Sequence, residues 1–261
     1  MFWVKGSLQL KERQIYGKLP TQPNKNVLPL ASLQHFNTSM SVNSSPYKAV
    51  LFDLDGTLIN SLHDIADSMN RVLEKKGYRT HDYDAYRYFI GRGLYNLVGS
   101  TLPEAEKTEQ NIRNLYQELL RDYEVNLLQK TVLYRGIPEL LNELVSKNIR
   151  LTILSNKADN FTKTIAAELL KSWPFEVVLG SGDNVPRKPD PTGALMVCES
   201  LQLEPSDFLY IGDTSTDMQT AIAAGMYPVG VTWGFRTRDE LLENGAKTII
   251  DKPIELLELL A

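Results

Sequence analysis

From residue 150 to residue 251 the chain repeats one rhythm: a short apolar run rich in β-branched residues, then a stretch of helical period. Strands are predicted at 150–155, 175–180, 207–213, 227–233 and 248–251. Helices are predicted between them at 159–171, 191–202 and 215–224, the last closed by Gly225. An earlier helix opens at Pro138 and carries Leu140, Leu141, Leu144 and Val145 on one stripe, proline being well suited to a first helical turn. A chain that alternates in this way buries its strands in a parallel sheet with helices on both faces, an α/β Rossmann-like core. Ligands of such sheets sit outside the carboxyl ends of the strands.

Before this region the text differs. Residues 48–53 (KAVLFD) form an apolar run ending in acid, as a buried strand entering a loop would. Leu62, Ile65, Ala66, Met69, Val72 and Leu73 then share a helical stripe, and helical patterning resumes through Ile112, Leu115, Tyr116, Leu119, Leu120 and Tyr123. No strand is predicted between these helices and residue 150. The expected organisation is an α/β core of residues 47–60 and 131–261, with an all-helical cap, 61–130, inserted after the first strand.

Polar residues gather where that core would place its strand ends. Asp53, Asp55, Gly56 and Thr57 follow the first strand, and Ser155 and Asn156 finish the second. Lys188 lies in the loop RKPDP, and Gly212, Asp213, Thr214 and Asp217 follow the next strand. Each fragment alone has an ordinary explanation. An acidic pair can be a turn, GDxxxD a capped helix start, Ser-Asn a strand-to-helix turn, and Lys188 a surface lysine. In this order at successive strand ends they converge. Four carboxylates brought together repel one another unless a cation sits among them, and oxygen ligands without histidine or thiolate favour magnesium over zinc.

Composition excludes several alternatives. A formal charge of −4 and a pI near 5.5 provide no basic face for nucleic acid. No run of about 18 apolar residues suggests a membrane span. Cys198 is the only cysteine, so no internal disulfide framework forms, and a cytoplasmic, reducing location is expected. Cys198 shares a helix with Ala194, Leu195 and Leu201 and reads as a core thiol. Residues 1–46 carry five cations against Glu12 alone and show no sustained period. They read as a weakly ordered leader: a tail, a targeting peptide, an expression remnant, or the result of a start at Met40.

The strings DLDGT, LSN, KP and GDTSTD resemble, in order, the four motifs of the haloacid dehalogenase superfamily, over a stretch from Tyr47 to the C-terminus. The resemblance implies a nucleophile at Asp53 and a general acid and base at Asp55. It implies phosphate binding by Thr57, Ser155, Asn156 and Lys188. Magnesium would be bound by Asp53, the main-chain carbonyl of Asp55 and Asp213, with Asp217 in support. Asp55 separates the chain from the dehalogenases, which resemble the family without that second aspartate. The strings DIADSMN, SNK and GSGDNVPRKPDP further resemble the phosphoglycolate phosphatases, although Asn60 stands where aspartate is common. The implied partner is a small phosphorylated metabolite, met by a monomer or homodimer.

Other readings compete. Pyrophosphatases of the superfamily look similar, and sugar phosphomutases with the same cap carry a histidine near the place of Ile65. A non-catalytic metabolite sensor would keep the fold without needing Asp55. In the cap, the Gly91-Arg92-Gly93 loop is expected to bring its backbone close to a ligand, with Arg92 forking onto a substrate carboxylate. Lys157 and Arg187, beside motif residues, are expected to add positive potential or to be rim charges. Trp233-Gly234-Phe235 is expected to end the fifth strand in a turn beside the site.

Overall fold

The computed structural model describes residues 45–260. The leader reading of residues 1–46 therefore lies almost entirely outside the described residues. Six strands form one sheet: β1 (Ala49–Phe52), β4 (Arg150–Ala158), β5 (Phe175–Ser181), β6 (Phe208–Gly212), β7 (Tyr227–Val231) and β8 (Thr248–Ile250). They lie in the order β5-β4-β1-β6-β7-β8, and every pairing is parallel. β1 is central, with Ala49 opposite both Arg150 and Phe208. Its side chains alternate between two cores. Val50 and Phe52 pack with Ile137, Leu140 and Leu144 of α5 (Ile137–Ser146) and Ile165 of α6 (Asp159–Leu169). Ala49 and Leu51 pack with Ala194 and Val197 of α7 (Thr192–Leu201) and Ala221 of α8 (Ser215–Ala224). Burial on both faces is why these strands read as continuous apolar runs.

Four helices fill the insert: α1 (Leu62–Lys75), α2 (Tyr83–Phe89), α3 (Leu94–Thr101) and α4 (Glu109–Asn126). α1 buries Ile65, Met69 and Leu73 against Leu115, Leu119 and Tyr123 of α4, each such side chain contributing on the order of 1.5–3 kcal/mol. Arg71–Asp122 at 2.5 Å and Lys76–Glu118 at 2.6 Å flank that seam. The apolar side chains of the cap run without a break into one core of the sheet. Buried Asp64 pins the return of the chain to the core. It accepts from the amides of Lys130 (2.9 Å) and Thr131 (2.8 Å) and from the Thr131 hydroxyl (2.7 Å).

The structure departs from the sequence reading in three places. Ser155 and Asn156 do not end their strand, because β4 slips its register after Leu154 and continues until Ala158 pairs with Ser181. Strand pairing there overrides local turn chemistry. Two short strands, β2 (Ile59–Asn60) and β3 (Val132–Leu133), pair antiparallel where none was expected between residues 53 and 150. Two residues are too few to show a period, and they brace the two crossings between core and cap. A helix α9 (Arg238–Glu243) also follows the 233–236 turn, with Thr237 capping it by accepting from the Glu240 amide. Among the described residues no helix is long and apolar enough to cross a membrane.

Candidate active site

Asp53 directly after β1, Ser155 within β4, Asp213 directly after β6 and Asp217 in the first turn of α8 come together, joined by Lys188 from the loop after β5. The Lys188 ammonium donates to Asp53 Oδ1 at 2.7 Å, Asp217 Oδ1 at 2.6 Å and the Leu154 carbonyl at 3.1 Å. That engages all three of its donors. Asp217 uses its other oxygen as helix-capping chemistry, accepting from the Thr214 amide (3.0 Å) and hydroxyl (2.6 Å) at the start of α8. The ordinary and the functional readings of GDxxxD therefore both hold: Thr214 caps the helix, and Asp217 supports the site from behind. Asp213 accepts from the Phe235 amide at 2.7 Å and, more weakly, from the Thr57 hydroxyl at 3.3 Å.

Glycines make this crowding possible. A Cβ on Gly56 or on Gly234 would stand 2.3 Å from Asp213, and one on Gly212 would stand 2.3 Å from Asp217. Gly56 also has φ +90°, a conformation other residues rarely adopt.

Charge in the cluster is unbalanced. Burial raises the Asp53 carboxyl to about 7, with Asp217 adding to the effect and Lys188 opposing it. Burial and the neighbouring Asp53 and Asp217 push Asp213 well above the carboxylate range. Burial disfavours the Lys188 charge, yet Asp217 and Asp53 outweigh it and hold the ammonium protonated. Asp53, Asp213 and Asp217 each offer an oxygen within 4.8 Å of the others. Three buried carboxylates facing one fully engaged lysine, with no nitrogen or sulfur ligand, suit a hard divalent cation.

Beside this cluster lies Asp55. Its carboxylate accepts from the Ser61 hydroxyl at 2.5 Å and takes the Lys157 ammonium on both oxygens at 2.9 Å. Lys157 is buried 5.0 Å from the ring centroid of Tyr123 in the cap. Burial opposes its charge, and Asp55, with Tyr123 adding to it, more than compensates and raises its pKa. A small cavity is lined below by Asp53, Asp55, Ser155, Lys157 and Lys188. Ile65, Ile90, Leu94 and Leu97 of the cap close it from above.

Most residues expected at the site meet there, with altered duties for some. Asn156 lines the cavity, but its amide is committed to the scaffold. It accepts from the Lys188 amide (2.7 Å) and donates to the carbonyls of Lys188 (3.2 Å) and Gly91 (3.0 Å). Thr57 is fully buried and directs its hydroxyl at Asp213. Arg92 is not brought into the cavity. Gly91 and Gly93, at φ +117° and +82°, turn their own backbone to the cavity, and Arg92 is exposed in a separate groove with Tyr88, Asn96, Thr216 and Arg236. Arg187 lies over Gly93 in another groove, its Nε 3.1 Å from where a Cβ would be.

Ser61 and Asp64 were not singled out by sequence reasoning, and Lys157 was expected only to add positive potential or to be a rim charge, not to be buried against Asp55. The available signal for Lys157 was its place directly after Ser155-Asn156, but burial of a lysine leaves no trace in the text. The Trp233-Gly234-Phe235 turn does sit at the site, where Trp233 Nε1 donates to the Thr57 carbonyl at 2.9 Å. Cys198 is buried, and desolvation raises its thiol to about 11, as befits an inert core residue.

A family model described as haloacid dehalogenase-like hydrolase matches residues 50–231. A phosphoglycolate phosphatase of Nitrosospira multiformis is 34% identical over 221 residues, 82% of this chain and 96% of that protein. A solved structure from Lactobacillus delbrueckii subsp. bulgaricus has a TM-score of 0.77 at 27% identity, covering 82% of this chain and 98% of its own. A haloacid dehalogenase-like family hydrolase of Streptococcus pneumoniae has a TM-score of 0.76 at 27% identity, covering 83% and 99%.

Proposed function

The chain belongs to the haloacid dehalogenase-like hydrolase family, and from that membership we propose that it hydrolyses a small phosphate monoester, phosphoglycolate or a close analogue, with magnesium as its metal. The observation that carries the reading is the Lys188 ammonium, 2.7 Å from Asp53 and 2.6 Å from Asp217, at the floor of a cavity that also holds Asp55 and Ser155. Phosphoglycolate is suggested by the name of the Nitrosospira relative.

A carboxylate approaching a phosphate dianion meets about 8 kcal/mol of repulsion at ~4 Å and an effective dielectric of ~20, twice the unit-charge value. Lys188 opposes that repulsion from one side of Asp53. Asp53 and Asp213, with the main-chain oxygen of Asp55 and with Asp217 behind, are the residues that would hold magnesium, whose charge reduces the rest. An Asp53 oxygen bonds to phosphorus as the ester oxygen leaves, giving an aspartyl phosphate. Asp55 donates its proton to the leaving alkoxide, then takes one from the water that attacks phosphorus, which releases phosphate and restores Asp53. Ser155 and the amides of the loop after Asp53 would hold the phosphoryl oxygens through this change.

The mutase alternative is disfavoured by the cap. Ile65 lines the cavity, while His63 stacks edge-on against Tyr83 with ring centroids 4.5 Å apart. The test is phosphate release from phosphoglycolate and a panel of small phosphate esters, with and without magnesium. Metal-dependent turnover with phosphoglycolate among the best substrates is expected. Binding of the same esters without any turnover would replace the hydrolase by a metabolite sensor.

A further inference from the structure

Resting on the phosphatase reading, we infer that Lys157 is the residue that receives the anionic group on the organic part of the substrate, and so sets the preference of the site for carboxylated phosphate esters. The inference begins with the cations near the cavity. Among the described residues that line it only Lys188 and Lys157 are cationic. All three Lys188 donors are committed to Asp53, Asp217 and Leu154. Arg92 and Arg236 line one separate groove and Arg187 another. Arg236 is moreover engaged with the carbonyls of Arg87, Tyr88 and Ile90.

Lys157 differs. Its ammonium meets the two oxygens of Asp55, each at 2.9 Å, which leaves one N–H of three without a carboxylate. One lysine serving two carboxylates already occurs in this site, where Lys188 bridges Asp53 and Asp217. The side chain is also held in place: its exposure is 2%, and the Tyr123 ring lies 5.0 Å from its nitrogen. The Tyr123 hydroxyl is fully buried without a hydrogen-bond partner, a second polar group at the same seam between cap and core.

The rest of the cavity makes the alternative costly. A carboxylate lodged among Ile65, Ile90, Leu94 and Leu97 would lose its hydration with nothing to replace it. By turning to Lys157 it gains a charge-assisted hydrogen bond from the one lining ammonium whose donors are not all committed. A neutral organic part gains nothing from the same contact.

The experiment uses the full chain and compares phosphoglycolate with 2-hydroxyethyl phosphate, a neutral ester of similar size. For Lys157→Gln, KM for phosphoglycolate is expected to rise roughly 10- to 100-fold relative to KM for the neutral ester. Any loss of kcat through weaker support of Asp55 should be shared by both esters. Lys157→Arg keeps the charge and should retain most of the preference, while Arg92→Ala should leave the KM ratio unchanged. If Lys157→Gln does not fold, the ratio for Lys157→Arg against wild type still decides, since loss of preference with the charge retained contradicts the assignment. Equal changes in both KM values overturn the inference, as does a wild type indifferent to the carboxylate. Failure of the underlying reading looks different: neither ester is hydrolysed by wild type in the presence of magnesium.

Discussion

Arg236, on the core, donates from Nη2 to the main-chain oxygen of Ile90, on the cap, at 2.9 Å. The same guanidinium reaches the carbonyls of Arg87 and Tyr88, and so satisfies the orphan acceptors at the end of α2. The grip is reciprocal, because Arg87 donates back to the Gly234 carbonyl at 3.2 Å. Gly234 and Phe235 also enclose Asp213, so the turn 233–236 holds a candidate metal ligand and the cap at once.

Arg236→Met should therefore loosen the cap, while also removing a positive charge that favours the Asp213 carboxylate. Amide hydrogen exchange of residues 87–91 is expected to accelerate, and KM for small esters to rise several-fold more than kcat falls. Unchanged exchange in that segment would show that Arg236 does not hold the joint.

Asp53→Asn removes the attacking oxygen while Lys188 keeps its bond to Asp217. Phosphate release should fall by about 1,000-fold or more, with the thermal midpoint little changed. Retention of a tenth of the activity would rule out the covalent route.

Metal binding should depend on pH in a definite direction. The Asp53 carboxyl is raised from 3.8 to about 7 in the metal-free fold, so the folded state holds a proton that the unfolded chain releases. Its favourable contribution is complete below pH ~4 and is lost as pH rises through 7, the unfolded value being near 3.9. Magnesium competes with that proton. Its stabilisation, read as a shift in Tm, should thus be larger at pH 8 than at pH 5. An equal shift at both would mean that Asp53 does not take part in metal binding.

Asp64→Ala leaves the amides of Lys130 and Thr131 and the Thr131 hydroxyl without their shared acceptor. Buried donors left in this way cost about 1–3 kcal/mol each where water cannot reach them, so a loss of roughly 2–5 kcal/mol is expected in denaturant unfolding. A change below about 0.5 kcal/mol would indicate that the return of the chain to the core is held by other contacts.

Much of the molecule could be read from the chain alone, for a local reason. Whether a residue lies in a strand or a helix leaves a period of two or 3.6 in its immediate neighbours, and a parallel sheet puts the ends of its strands together. Asp53, Ser155, Lys188, Asp213 and Asp217 were thereby marked as one group before any coordinates. The ribbon formed by Ile59–Asn60 and Val132–Leu133 left no such trace, being too short to carry a period.

What the chain alone did not settle is which side chains face inward. Arg92 and Lys157 are both cations beside motif residues, yet one is exposed and the other is 4% exposed between Asp55 and a cap tyrosine. The sign of φ at Gly91 and Gly93 turns Arg92 away, and Tyr123 of α4, packed edge-on against Phe161 of α6, covers Lys157. Both outcomes depend on surfaces brought together from distant parts of the sequence. Local periodicity determined the elements and their ends, and only tertiary packing decided which charges lost their water.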